Sequence, residues 1–511
     1  MKKAAADSGT QANPPPSDVK IVRTCVDLLE PGDGSAQYYK KDLKNLPAGI
    51  SSGAMYRDIA KIAWPSFVEF MLAQLASMAD MMMVGRLGNQ AIAAVGLATQ
   101  PRMLLATLFM SMNVGTTAMI ARCRGAGDRD RARLFLRQAL LMAAIFSLVS
   151  SVVGYFGAEW MIRFMGTSAA RAETVLAGTQ YMQVQMIGFA TMGITATITA
   201  ALRAVGDSKT AMRYNIVSNV VNVMFNFLLI EGRLGFPRLE VLGASLATVL
   251  GQLAALVMAV YTITRKRRYL HVSIRDDFRP RWEPLREIFN IGIPAMLEQL
   301  VMRAGMIIYA RIVNSIGDIA QSTHQICINI LSMSFMTGQA VAVSSTSLVG
   351  QCLGKRRPDM SHNYARRSQT LSLIVAMVIA AFFVFFGKFT VGLYLDSADP
   401  HYAVILEEGA KVLLLVALIQ PLQSSQFVLA GALRGAGDTK ATALITLITI
   451  LGVRPLVAAL TVNQLGLGLL GAWGAMVCDQ TVRSTLIMLR YKRGKWMYMA
   501  KAHPAVKAVQ S

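Results

Sequence analysis

Charge is scarce in this sequence. Asp, Glu, Lys and Arg make up 16% of its 511 residues, where a soluble globular protein carries about 25%. Acid is the scarcer sign: 29 Asp and Glu stand against 51 Lys and Arg, a net charge of +22. With 54% hydrophobic residues the chain is not a disordered one, which needs low hydrophobicity. A mean hydropathy of +0.44 leaves too little polar surface to cover an ordinary soluble enzyme. A nucleic-acid binder can be this basic, but not this apolar.

Catalytic and metal signatures are missing too. There is no Walker loop, no nucleophile elbow and no HExxH pair. The five cysteines (Cys25, Cys123, Cys327, Cys352, Cys478) are odd in number and scattered, giving neither a disulfide framework nor a metal-ligand spacing. No secretory signal is visible, because the first long apolar run comes too late. What remains is a multispanning membrane protein. A membrane enzyme or receptor without transport would bring an extramembrane domain or a catalytic cluster, and neither is legible.

Each bilayer crossing takes roughly 20 apolar residues. Apolar stretches place twelve helices, at about 59–84, 92–121, 135–157, 175–202, 212–230, 241–264, 288–313, 321–349, 369–394, 404–433, 441–462 and 469–489. Residues 1–55 hold no run long enough to insert and read as a mostly disordered cytoplasmic tail; residues 491–511 read as a basic cytoplasmic tail. The loops alternate in charge. RCRGAGDRDRAR, LRAVGDSKTAMR, GKRRPDMSHNYARR and LRGAGDTK are basic, whereas GRLGNQA, NSIGDIA and NQLGLG are nearly free of Lys and Arg. Basic loops stay in the cytoplasm, so both termini are expected there, at the plasma (inner) membrane. The charge runs set topology and meet anionic lipid rather than nucleic acid.

The two halves repeat each other. IAWPSFVE at Ile62 and IGIPAMLE at Ile291 match, aligning Pro65 with Pro294 and Glu69 with Glu298. ARCRGAGD at Ala121 aligns with GQCLGKRR at Gly350, and ALRAVGDSK at Ala201 with ALRGAGDTK at Ala432. With LGAS at Leu242 aligned to LGAW at Leu470, four matched places in the same order indicate an internal duplication. Each repeat holds six helices, an even number, so the two copies enter the membrane in the same orientation. The expected fold is an all-α polytopic membrane protein: two six-helix bundles, residues 56–268 and 269–490, related by a pseudo-twofold along the membrane normal. That layout belongs to secondary transporters, whose substrate lies between the halves near the midplane.

Polar groups inside the membrane need a reason, since a central charge costs at least about 2.5 kcal/mol. Asp80 lies late in the first span, toward the outer half. It reads as a cation or proton site, against the plainer reading of a helix-end aspartate facing water. Asn215, Asn219, Asn222 and Asn226 are spaced by four, three and four, which puts them on one stripe of the fifth span. Such a stripe faces protein or a water-filled cavity, as interhelical glue or as ligands. Glu69 and Glu298 are the repeat-matched pair; Arg303, five residues after Glu298, is a possible ion-pair partner, and recognition of a substrate or ion is the alternative. Arg102, Arg303, Arg454 and Arg483 also fall inside spans. Asp479 and Arg483 are four apart, a spacing that favours mutual pairing. His324 reads as a packing histidine. Gln420, Gln423 and Gln426 surround Pro421 at a spacing of three and are candidates to line a C-terminal cavity.

The first span's close, Asp80 followed by MVGRLG, resembles the multidrug and toxic compound extrusion (MATE) family. THQICINILSMSFMTGQAVAVSSTSLVGQCLG in the eighth span, the two LR-x-x-GD-[ST]-K loops and Arg454-Pro455 are similar to it as well. The resemblance covers about residues 56–490. It implies an antiporter for drugs or metabolites, driven by Na⁺ or H⁺ and alternating between inward- and outward-facing V shapes. It also implies that Asn222 and Asn226 help Asp80 hold the cation; some members carry a second aspartate where Asn226 stands, so the coupling ion stays open. Thr248, in the sixth span, can add a hydroxyl. Family members place a glutamate in the seventh span, further past the proline than Glu298. The expected cargo is a small organic compound, cationic or amphipathic, handled by a monomer in the lipid bilayer, with no cofactor beyond the coupling ion and no nucleic-acid partner. A lipid-linked oligosaccharide flippase of the same superfamily is the alternative; it would carry fourteen spans and a basic cavity.

Overall fold

The computed structural model describes residues 24–32, 46–47, 49–165, 172–265, 269–273, 275–395 and 400–502. Most of the expected N-terminal tail, and the end of the C-terminal one, lie outside them. Among the described residues the regular elements are all helical. The first lobe comprises α1 (Ser52–Gly85), α2 (Asn89–Ala126), α3 (Arg129–Phe156), a short α4 (Ala158–Met165), α5 (Ala172–Ile187), α6 (Phe189–Ala204), α7 (Ser208–Leu229) and α8 (Glu240–Thr264). The second comprises α9 (Trp282–Asn314), α10 (Asp318–Gly354), α11 (Pro358–Gly392), α12 (Tyr402–Gly435), α13 (Thr439–Leu447), α14 (Arg454–Ala459) and α15 (Gly468–Lys492).

These fifteen helices make twelve spans. The expected fourth span is two helices, α5 and α6, bent by 49° at Gly188. The eleventh is α13 and α14 joined through a π-helical turn, Ile448–Val453. Pro455 explains the widened turn, because it has no N–H to donate and its ring crowds the preceding turn. Eight helices are long and apolar enough to cross a membrane, and the bent pair adds a ninth. The other three spans are α7, α12 and α15. They fall short on apolarity because they carry the asparagine stripe, the glutamines, and Asp479 with Arg483.

Local sequence explains the turns between spans. In both LR-x-x-GD loops the glycine takes positive φ, 88° at Gly206 and 76° at Gly437, which only glycine adopts freely. The aspartate follows as the N-cap of the next helix; Asp207 accepts from Thr210 N at 3.3 Å.

The lobes meet where α2 and α10 cross at their basic ends. A Cβ on Gly125 would stand 1.8 Å from the Gln351 carbonyl oxygen, and one on Gly354 would stand 2.1 Å from that of Arg122. Gly125 aligns with Gly354 in the repeat, and Arg122 with Gln351, so each glycine receives the other copy's carbonyl. The pseudo-twofold passes through this contact. The same residues also reach across. Arg122 Nη2 donates to Ala436 O at 2.5 Å, at the end of α12, and Gln351 Nε2 donates to Ala204 O at 2.8 Å, at the end of α6. Each lobe thus satisfies carbonyls that the other lobe's helix end leaves open.

A short segment straps this closed end. Cys25–Leu28 forms one 3-10 turn. Asp27 pairs with Arg124 of the first lobe at 2.7 Å, while Lys355 Nζ of the second lobe donates to Leu29 O at 2.7 Å. Buried Asp58 accepts from Cys25 N at 2.6 Å and from Tyr364 Oη at 3.0 Å. Burial, reinforced by Asp58, pushes the Cys25 thiol up to about 11. A raised pKa lowers the reactive thiolate fraction at every pH below it. With Cys25 as the sole cysteine, maleimide labelling at pH 8 is expected to be slower than for a free thiol by roughly a hundredfold. The combined change Arg124→Ala, Lys355→Ala releases the strap and restores rapid labelling; unchanged protection there would show that the strap is held by something else.

Candidate functional site

Asp80 sits five residues before the end of α1, far from the basic ends. α7 and α8 bring its partners. Asn226 Nδ2 donates to Asp80 Oδ1. The hydrogen-bond network orients the Asn222 amide so that its nitrogen donates to the same oxygen at 2.9 Å. Its oxygen then accepts from Thr248 Oγ1 at 3.3 Å. Four residues named from sequence thus converge on one point. Asn226 is fully buried, and its Oδ1 has no hydrogen-bond partner among the described residues. A buried acceptor beside a carboxylate, with no donor to satisfy it, is a place for a cation or a proton carrier. The other asparagines part company with this group: Asn215 donates to Glu69 Oε1 at 2.7 Å, and Asn219 joins neither site.

The two repeat-matched glutamates have repeat-matched partners. Arg203 Nη2 lies 2.6 Å from Glu69, and Arg434 Nη2 lies 2.5 Å from Glu298. Both arginines come from the LR-x-x-GD loops. The pairing of Glu298 with Arg303 is therefore not formed. Arg303 follows Glu298 by five positions, so on a helix it points to another face. Thr442 Oγ1 also donates to Glu298 Oε2 at 3.1 Å, which leaves that carboxylate well occupied.

The second lobe has no copy of the Asp80 site. The offset that carries Glu69 to Glu298 carries Asp80 to Tyr309. There Arg454 stacks its guanidinium over the Tyr309 ring at 5.6 Å and bonds Asp479 Oδ2 at 2.5 Å. Arg483 bonds the same oxygen at 2.5 Å, so the expected two-residue pair is a three-residue group with a net positive charge. A tethered guanidinium thus occupies the region that corresponds to Asp80 in the first lobe. His324 packs between the rings of Tyr309 and Trp473, as a packing histidine should. Gln420 Nε2 donates to Ser334 Oγ at 2.6 Å; Gln423 and Gln426 are buried, each with a side-chain oxygen that has no partner among the described residues.

Between the lobes, at mid-depth, lies a cavity of about 330 Å³. Arg102, Arg303, Arg434 and Glu298 line it with Gln299 and Thr107. The arginines Arg203 and Arg434 were legible only as loop residues. Their repeat alignment with one another, beside that of the glutamates, is the signal that names them as partners.

The sequence model of the MatE family matches residues 65–228 and again 294–460, starting at the aligned prolines Pro65 and Pro294. The chain belongs to the MatE family. Family resemblance extends over most of its length. The probable multidrug resistance protein NorM of Thermotoga maritima is 28% identical over 441 residues, covering 86% of this chain and 93% of the relative. The uncharacterized transporter YisQ of Bacillus subtilis is 27% identical over 447 residues, covering 86% and 95%. A solved MATE family transporter in an outward-facing conformation superposes with a TM-score of 0.80 at 22% identity, covering 87% and 96%. A MOP superfamily transporter from Pyrococcus furiosus, described as having a binding pocket of reverse polarity, also superposes at 0.80, with 23% identity and the same coverage. These likenesses establish the two-bundle, twelve-helix fold and place the chain among membrane transporters.

Membership leaves the Asp479 group to be explained by its own physics. Removing one partner of a buried ion pair costs about 3–5 kcal/mol, because the remaining charge stays buried. Asp479→Asn strands two arginines, and its unfolding midpoint in detergent is expected to drop accordingly. Glu159→Gln, which breaks the exposed pair with Arg163, is expected to leave the midpoint nearly unchanged. Equal effects from the two changes would remove the structural role given to Asp479.

Proposed function

We propose that this chain is a cation-coupled antiporter that exports organic, amphipathic compounds by alternating access. The observation that carries this reading is the convergence of Asp80, Asn222, Asn226 and Thr248, with the orphaned Asn226 oxygen beside the carboxylate. One carboxylate and neutral oxygens suit Na⁺ or H⁺ as the cargo driven inward. The names of the curated relatives, multidrug resistance proteins among them, support the substrate side of the reading.

The mechanism rests on differential affinity. A cation drives export only if it binds the outward- and inward-facing states unequally. The Asp80 site joins α1 to α7 and α8 near the ends remote from the α2–α10 crossing. A cation there competes with the amide N–H groups that now bond Asp80, and changes how these three helices pack. Rocking about the crossing then opens the basic side and presents the central cavity to it. The distribution of basic loops supports placing that side in the cytoplasm, with both termini, at the inner membrane. Export by a monomer, with no cofactor other than the coupling ion, completes the proposal.

The flippase reading draws support from the arginines of the cavity, but its expected fourteen spans are not matched by the twelve here. Asp80→Asn in proteoliposomes is expected to abolish dye efflux driven by an imposed Na⁺ or pH gradient, while protein incorporation stays normal. Undiminished gradient-driven efflux would sink the coupling role of Asp80.

A further inference from the structure

The central cavity is lined by more positive than negative charge. Among the described residues Glu298 is its single lining carboxylate, and Arg434 and Thr442 already occupy it. Arg303 has no ion-pair partner among the described residues. Arg102 is within electrostatic reach of Asp80, but both amides of the asparagine pair already bond that carboxylate. The Arg102 Nε is buried with no hydrogen-bond partner among the described residues. Unpaired guanidinium groups at membrane depth are costly, and they persist where a ligand meets them. The apolar walls include Met103, Met110 and Met192, flexible side chains that adapt to varied shapes. At about 330 Å³ the space lies within the range of small-molecule sites.

We infer that this cavity binds an organic anion: a carboxylate, sulfonate or phosphate group held by Arg102 and Arg303, with an apolar body against the methionines. Guanidinium forks suit such groups because they present paired N–H donors to paired oxygens. This deepens the transport reading and rests on it for the cavity's role as the substrate path. The anionic group belongs either to a soluble compound or to a lipid headgroup, and the chemistry at the arginines is the same.

The test uses the full-length protein and two dyes of opposite charge, carboxyfluorescein and ethidium. Binding to purified protein is read by fluorescence anisotropy. Carboxyfluorescein is expected to bind more tightly than ethidium. Arg303→Gln and Arg102→Gln are each expected to weaken it by about tenfold, the size of one charged hydrogen bond, and to leave ethidium unchanged. Arg303→Lys, which keeps the charge but not the paired N–H donors, is expected to recover part of the binding lost in Arg303→Gln and controls for misfolding. Tighter ethidium binding, or equal loss of both dyes in the Gln variants, overturns the inference. Gradient-driven flux in phosphatidylcholine vesicles tests the reading beneath it. Arginine-dependent binding without flux keeps the anion site and sinks the antiporter; ethidium flux without carboxyfluorescein binding does the reverse. Movement of headgroup-labelled phosphatidylglycerol that depends on Arg303, without carboxyfluorescein binding, supports the same chemistry and assigns the anion to lipid.

Discussion

The crossing of α2 and α10 is the contact on which the rest of the architecture depends. Two long helices from different lobes approach until backbone meets backbone, which small residues alone permit in a membrane, where no hydrophobic force draws helices together. Gly125 and Gly354 meet that need, and they are copies of one ancestral position. Because each receives the other copy's carbonyl, the symmetry axis is fixed there. The reciprocal bonds of Arg122 and Gln351 to helix ends in the opposite lobe add polar satisfaction to the same point. The strap at Cys25–Leu28 closes over it and touches both lobes.

Around this contact the duplicated halves have kept their scaffolding and diverged in their chemistry. Glu69 with Arg203 and Glu298 with Arg434 are the same ion pair built twice, each tying the midpoint of a lobe's first helix to the loop that ends its fourth span. Toward the opposite ends the copies differ. One lobe places Asp80 with two amides and a hydroxyl; the other places Tyr309 under Arg454, which shares Asp479 with Arg483. One half sets a single carboxylate among neutral amides and a hydroxyl, and the other holds a carboxylate between two guanidinium groups. The second lobe's group is buried, and its two ion pairs through Asp479 tie α14 to α15.

Much of this was legible before any coordinates. Twelve spans, two lobes and the parallel repeat follow from apolar run length and from Pro65, Glu69 and their counterparts. Asp80 and the asparagine stripe stood out because polar side chains are conspicuous against an apolar background, the family resemblance singled out Asn222 and Asn226, and helix packing brings both, with Thr248, to Asp80. The partners of the glutamates were not legible. Arg303 was nearer in sequence to Glu298 than Arg434, yet a five-residue step on a helix turns the side chain away. Likewise Asp479 and Arg483 were paired by spacing alone, while Arg454, on a different helix, could not be seen as the third member.

The sequence by itself determined which groups enter the membrane, how many times the chain crosses it, and which positions are duplicates, since hydropathy and periodicity act along one dimension. Tertiary structure alone decided which charges cancel and which remain. Helix packing brings Arg434 to Glu298 from 136 positions away, and the facing of two lobes leaves Arg102 and Arg303 on a shared cavity. Electrostatic pairing depends on distance through space, and in a twelve-helix bundle that distance bears little relation to separation along the chain.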